Sequence, residues 1–249
     1  MQKWLWFIAA CVVFGFSLLA HLPARLVVPE NAGELQLLGI SGTVWRGEVK
    51  HILYSGKALP VQNLNWRVNP TALLAGTLKA EIHEQQIPAN RGQAVVDLLS
   101  QEYELQAVQW QLAGSALDPW FQAWVGLEGQ FTLDLQTLRL PANGLIPRRV
   151  QGRIDWQNAA LQWGPETWPI GSPLMQFSGE GDAVKGIVTN SQPLLPGDSS
   201  FECTVRSCRV ELSLQPAPGA PQSLTNGLLL MGLRQTGGRF SGQIVFPLE

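Results

Sequence analysis

Residues 130–140, QFTLDLQTLRL, alternate polar and apolar side chains and so place Phe131, Leu133 and Leu135 on one face. That is the period of a half-buried strand. The phase then slips at Thr137–Leu138, and Leu138 and Leu140 continue it. A one-residue slip predicts a bulge. The stretch 103–112, YELQAVQWQL, does the same, with Leu105 and Ala107 in one phase and Val108, Trp110 and Leu112 in the other. Further out, Val210, Leu212 and Leu214 share a face, as do Ala159, Leu161 and Trp163. HILYS (51–55), AVKGIVT (183–189) and RFSGQIVF (239–246) are further short runs, and Gly or Pro separates most of them. Many short strands at this spacing predict a mainly β chain with an antiparallel sheet and a few short helices.

Helical signals are brief. Asn69 precedes Pro70 and Gly76 closes the run NPTALLAG, which has the start and stop residues of a short helix. Leu117–Gly126 has the same form, with Asp118 as cap and Pro119 in the first turn. Leu224, Leu228 and Met231 recur at helical spacing in a third segment, closed by Gly237–Gly238. The most loop-like stretches are GPETWPIGSP (164–173) and QPAPGAP (215–221). A thin internal repeat relates Gly39-Ile-Ser-Gly42 to Gly126-Leu-Glu-Gly129, each followed by an apolar-polar-Trp run ending at Trp66 or Trp156. Chance likeness among strands is the rival explanation. On the repeat reading the chain holds two similar halves, about 36–115 and 126–249.

The N-terminus is of another kind. From Trp4 to Ala20 no residue is charged, and about 20 apolar residues span a bilayer core. Trp4 and Trp6 suit an interfacial aromatic belt, Leu19 lies in the apolar run, and Lys3 precedes it. Residues 1–22 therefore read as a transmembrane signal anchor, with residues 23–249 as an exported β domain. A cleaved signal peptide is the competitor, but Ala20 and Ala24 each have Leu two residues earlier, which does not fit small-residue cleavage. A buried soluble helix is the third reading.

Charged residues make up 14% of the chain and the formal net charge is −2. This balance argues against a nucleic-acid partner, and the apolar content argues against disorder. Of three cysteines, Cys11 lies in the apolar run. Cys203 and Cys208 have four residues between them. That spacing suits a disulfide across a tight hairpin in an oxidising compartment. Free thiols and a zinc site are the alternatives, the latter short of ligands.

Two stretches carry a resemblance. Gly39–Gly47 reads GISGTVWRG, and Leu64–Leu78 reads LNWRVNPTALLAGTL. Together they resemble the signature of the type II secretion system protein N family, in the order GTVWxG and then LxWxxxPxxLLxG. The glycine-rich ending, Leu228–Ile244, is similar as well. The resemblance implies an inner-membrane protein of the Gram-negative general secretory pathway, single pass, with its bulk in the periplasm and other secretion components as partners. A weaker likeness to AsmA-like proteins implies a curved sheet that accommodates lipid, with phospholipid as a ligand. The motif residues Gly42, Trp45, Gly47, Trp66, Pro70, Leu73, Leu74 and Gly76 carry no catalytic content. They form a partner surface, or they close one end of the sheet. On the second reading Pro70 ends a strand, and Leu73 and Leu74 fold the short helix back onto it.

No residue set points to an enzyme. Ser41 and Ser178 both fail the nucleophile elbow, and Gly56-Lys57-Ala58 lacks the ending of a phosphate loop. His21, His51 and His83 have no obvious partners, and Glu180-Gly-Asp182 is too sparse for calcium. No cofactor or metal is expected. Arg148, Arg149 and Arg153 form the densest basic patch. It could meet lipid headgroups or an acidic partner, or be a solvated hairpin tip. The sequence leads to a non-enzymatic protein that works by contact, with lipid binding as the alternative.

Overall fold

The computed structural model describes residues 14, 17–18, 20–28, 30–32, 34–100, 102–119, 126–141, 147–190, 195–204, 206–230 and 232–247. The chain divides into two compact units at Pro88/Ala89. This boundary falls inside the first of the two halves suggested by the repeat. Among the described residues no helix is long and apolar enough to cross a membrane. Trp4, Trp6 and Leu19, with most of the expected anchor, lie outside the described residues.

In the first unit β4 (Arg46–Tyr54), β5 (Lys57–Asn69) and β6 (Thr77–Glu84) form an antiparallel meander. β2 (Leu35–Leu38) and β3 (Ser41–Gly42) lie along the outer side of β4, and β1 (Asn31–Ala32) pairs with β2. The segment before β1 is stitched to this edge. Pro23 bridges Thr43, and Val44 N–H donates to the Leu22 carbonyl at 3.0 Å. A two-residue turn with positive φ at Ser55 (49°) and Gly56 (76°) joins β4 to β5, the conformation that hairpin twist favours.

Pro70 ends β5 as expected, because it has no N–H for the ladder, and starts a six-residue 3-10 helix, Pro70–Ala75. Asn69 caps it, its side-chain oxygen accepting Thr71 N–H at 3.0 Å, and Gly76 closes it at φ 72°. One expectation is corrected here: Leu74 does not fold back onto the sheet but is 93% exposed. With three residues per turn, successive side chains of a 3-10 helix point about 120° apart. Of the two leucines it is Leu73 that turns towards the unit, and it is half-buried.

The second unit runs through β7 (Arg91–Asp97), β8 (Tyr103–Ala113), β9 (Gly126–Leu140), β10 (Arg149–Trp163), β12 (Leu174–Glu180), β13 (Ala183–Asn190), β14 (Gly197–Thr204), β15 (Ser207–Leu214) and β17 (Arg239–Pro247). Each pairs antiparallel with the next in this series. β11 (Glu166–Gly171) folds back on the end of β10, and β16 (Arg234–Thr236) on the start of β17. The expected phase slips are bulges. Ala107 in β8 (φ 48°) and Gln136 in β9 are extra residues side by side, out of register with flanking β7 and β10. Each bulge lets Leu105 and Val108, and Leu138 and Leu135, stay on one face.

The stretch 164–173, expected as loop, contains β11. Its Pro169 is tolerated because β11 pairs on one side only, with β10, and an edge strand can spare an N–H. Trp168 and Ile170 of β11 are buried in the core with Ala159, Leu195, Leu224, Leu228, Leu233 and Phe240. Leu224 and Leu228 come from the one α-helix of this core, α1 (Gln222–Leu230). Glu166 fixes α1 to β11: its carboxylate accepts the Ser223 hydroxyl at 2.6 Å and the Trp168 indole N–H at 3.0 Å. Of the helix expected over 117–126, residues 120–125 lie outside the described residues. Asp118 instead accepts Leu127 N–H at 2.9 Å.

Candidate functional site

Alternation along each strand of the second unit separates two faces. One apolar row crosses six strands in register: Leu135, Gly152, Phe177, Gly186, Phe201 and Val210. A Cβ on Gly186 would fall inside the Phe201 ring, and one on Gly152 would come within 2.8 Å of Phe177. Small and large residues thus alternate so that each ring lies over its neighbour's backbone.

The other face is polar. Asp134, Arg153, Gln176, Ile187, Ser200 and Glu211 form one cross-strand row; Gln151, Ser178, Lys185, Glu202 and Arg209 form the next. They line a cleft of about 960 Å3. Its charges alternate in sign. Arg153 pairs with Asp134 at 3.2 Å and Lys185 with Glu202 at 3.0 Å. Asp198, Ser213, Ser241 and Gln243 line an adjoining cleft of about 740 Å3.

Of the basic patch, Arg149 and Arg153 lie in β10. Arg148 joins Arg139 in gripping one carboxylate, that of Glu102. Two of the three arginines are therefore neutralised by acidic neighbours. Sequence reasoning did not single out Lys185, Glu202, Arg209 or Glu211. Their signal was present as charges at the polar positions of AVKGIVT, FECTV and RVELSL, but which charge meets which depends on register between strands.

The family-motif residues gather in the first unit. A Cβ on Gly42 (φ 86°) would lie 2.5 Å from the Arg46 carbonyl, and one on Gly47 would fall inside the Trp66 ring. Trp66 Nε1–H donates to the Val44 carbonyl at 3.1 Å, and the Trp45 carbonyl accepts Val68 N–H at 2.8 Å. The two motif stretches are thus one packed joint, at the point where Leu22–Pro23 is stitched on. Ser41, Glu48, Asn65 and His83 line a small cleft of about 390 Å3 beside it. His51 pairs in register with Gln62, away from His83, which pairs with Asn65.

Cys203 and Cys208 are disulfide-bonded and pair directly across the β14–β15 hairpin. Among the described residues no three His, Cys, Asp or Glu side chains could hold a metal ion. The shifted carboxylates do local work. The Ser223 hydroxyl, and then the Trp168 indole, hold Glu166 below its ordinary value. Asp97 is lowered by the Ser100 and Leu99 amides in the β7–β8 turn, and Glu34 by the hydroxyls of Ser55 and Tyr54.

The family model described as "Type II secretion system (T2SS), protein N" matches residues 33–242. Type II secretion system protein N of Vibrio cholerae serotype O1 is 28% identical over 208 residues, covering 80% of this chain and 76% of the relative. Its namesake from Aeromonas hydrophila is 23% identical over 244 residues, 90% of each chain. No solved structure matches the chain.

Proposed function

The chain belongs to the type II secretion system protein N family, and from that premise we propose that it is a non-enzymatic component of a type II secretion apparatus, held in the inner membrane by residues 1–22 with its bulk in the periplasm. It acts through protein contacts with other components. The observation that carries this reading is the polar cleft of the second unit. Four of its charges form two pairs, Asp134 with Arg153 and Lys185 with Glu202, and all are spread along strands, an arrangement for a complementary protein surface rather than for a reacting atom. The Cys203–Cys208 disulfide supports an oxidising compartment. The uncharged run Trp4–Ala20 supports the anchor.

Deletion of the gene tests it. Exoprotein secretion should fail while the outer-membrane barrier stays intact; a barrier defect with normal secretion would sink the proposal. A periplasmic reporter fused after Ala24 should stay in the membrane fraction, and its full release would mean cleavage instead.

A second reading, a lipid-binding module, draws on the half-buried apolar row that includes Phe177, Phe201 and Val210. Native mass spectrometry of the purified protein discriminates: retained phospholipid favours it, and a bare mass removes it.

A further inference from the structure

β4 of the first unit and β17 of the second differ in how their outer backbone is covered. In the first unit the outer side of β4 is taken by β2 and β3, with β1 and Pro23 beyond them. In the second unit β17 pairs with β15 along its length, from Phe240 opposite Leu214 to Pro247 opposite Ser207. On its other side β16 covers only Arg239–Ser241, and Leu233 packs against Gly242. Among the described residues, no strand pairs with Gln243–Pro247 on that side.

Such an edge presents unpaired N–H and C=O groups at every second residue. Proteins usually blunt it with a charge, an early proline or a cover. This one has none of these before Pro247. Between Arg239 and Glu249 the chain carries no charge. Val245 is 54% exposed and Phe246 is 51% exposed. The edge is also braced, because Phe246 lies opposite Cys208 of the disulfide-bonded hairpin.

We propose that two copies of the chain pair through this edge, antiparallel, about a two-fold axis at Val245. The segment is complementary to itself in that register. Val245 meets its own mate on the polar face. Ile244 meets Phe246 of the second copy on the apolar face, twice by symmetry, and Gln243 meets Pro247. A second copy brings no like charge against the segment. The pairing is closed as well: each copy spends this edge on the other, and the assembly stops at two. An edge left single would keep Ile244–Phe246 as a template for open-ended aggregation.

Five residues a side make a small contact, well under a standard interface, so covalent trapping is the suitable readout. The test uses the full chain in its membrane with Cys11→Ser as background. Mild oxidation of Val245→Cys should give a species of twice the mass. Leu99→Cys, at a residue 91% exposed in the same unit, should not. Adding Phe246→Lys to Val245→Cys should lose the dimer, with melting measured to show that the fold is retained. The proposal is overturned if Val245→Cys traps no more dimer than Leu99→Cys. It is equally overturned if Val245→Cys couples to a different protein, or if the dimer survives Phe246→Lys in a folded protein.

Discussion

Trp66 donates its indole N–H to the carbonyl of Val44, and Trp156 makes the same contact with Glu128, at 3.1 and 2.8 Å. In each case the acceptor lies three residues before the cross-strand partner of the tryptophan, Gly47 for Trp66 and Phe131 for Trp156. The two units thus share a local device. It aligns Gly42 with Gly126, three residues away from the alignment that the Gly-x-x-Gly repeat suggests. The partners differ in kind: Trp66 covers a glycine, whereas Trp156 stacks on Phe131 at 4.7 Å between centroids.

Trp66→Phe loses the indole N–H and part of the ring that covers Gly47, so in denaturant unfolding it should cost more than the about 1 kcal/mol of the hydrogen bond alone. Gly47→Ala forces a methyl into the ring and should cost about 1–3 kcal/mol. Trp110 is the contrast. Its Nε1 is buried without a partner among the described residues, so Trp110→Phe removes an unsatisfied donor and should cost less than Trp66→Phe.

Gly186→Ala should destabilise by about 1–3 kcal/mol through overpacking against Phe201. Phe201→Leu in the same chain should recover part of that loss. A double-mutant cycle that gave simple additivity would mean the two residues do not meet as described.

The carboxylate of Glu166 is held below its ordinary value by Ser223 and Trp168. A lowered folded pKa gives stability that is complete above the unfolded value and is lost as pH falls through the folded one. Glu166→Gln should therefore melt below the wild type at neutral pH. The gap should close below the ordinary carboxylate range. A gap independent of pH would assign the effect to packing alone.

Replacing both Cys203 and Cys208 by Ser should lower stability by about 2 kcal/mol, the chain-entropy value for so short a loop. Thiol labelling of a Cys11→Ser chain should leave both unmodified until reductant is added. A mass shift without reductant would contradict the bridge.

What could be read along the chain was local. The phase slips in β8 and β9 gave the bulges at Ala107 and Gln136, since a bulge is written in one strand's own alternation. The cap at Asn69 and the stop at Gly76 were legible for the same reason. Pro169 was misleading because a proline is read against an average strand, and its tolerance depends on β11 lacking a second neighbour. Leu74 was misleading because a 3-10 turn and an α-turn share start and stop signals but differ in where the fifth side chain points. The cleft was not legible at all. Asp134 and Arg153, or Lys185 and Glu202, meet only through inter-strand register.

The stitch at Leu22–Pro23 also has a mechanical meaning. A pull on the N-terminal segment is carried from Leu22 to Val44 through one hydrogen bond, and from Val44 to β5 through the Trp66 indole. The neighbouring Trp45–Val68 bond shares the load. Force arriving at Leu22 is therefore passed to the meander β4–β5–β6 instead of being spent on uncoiling the chain that leads to β1.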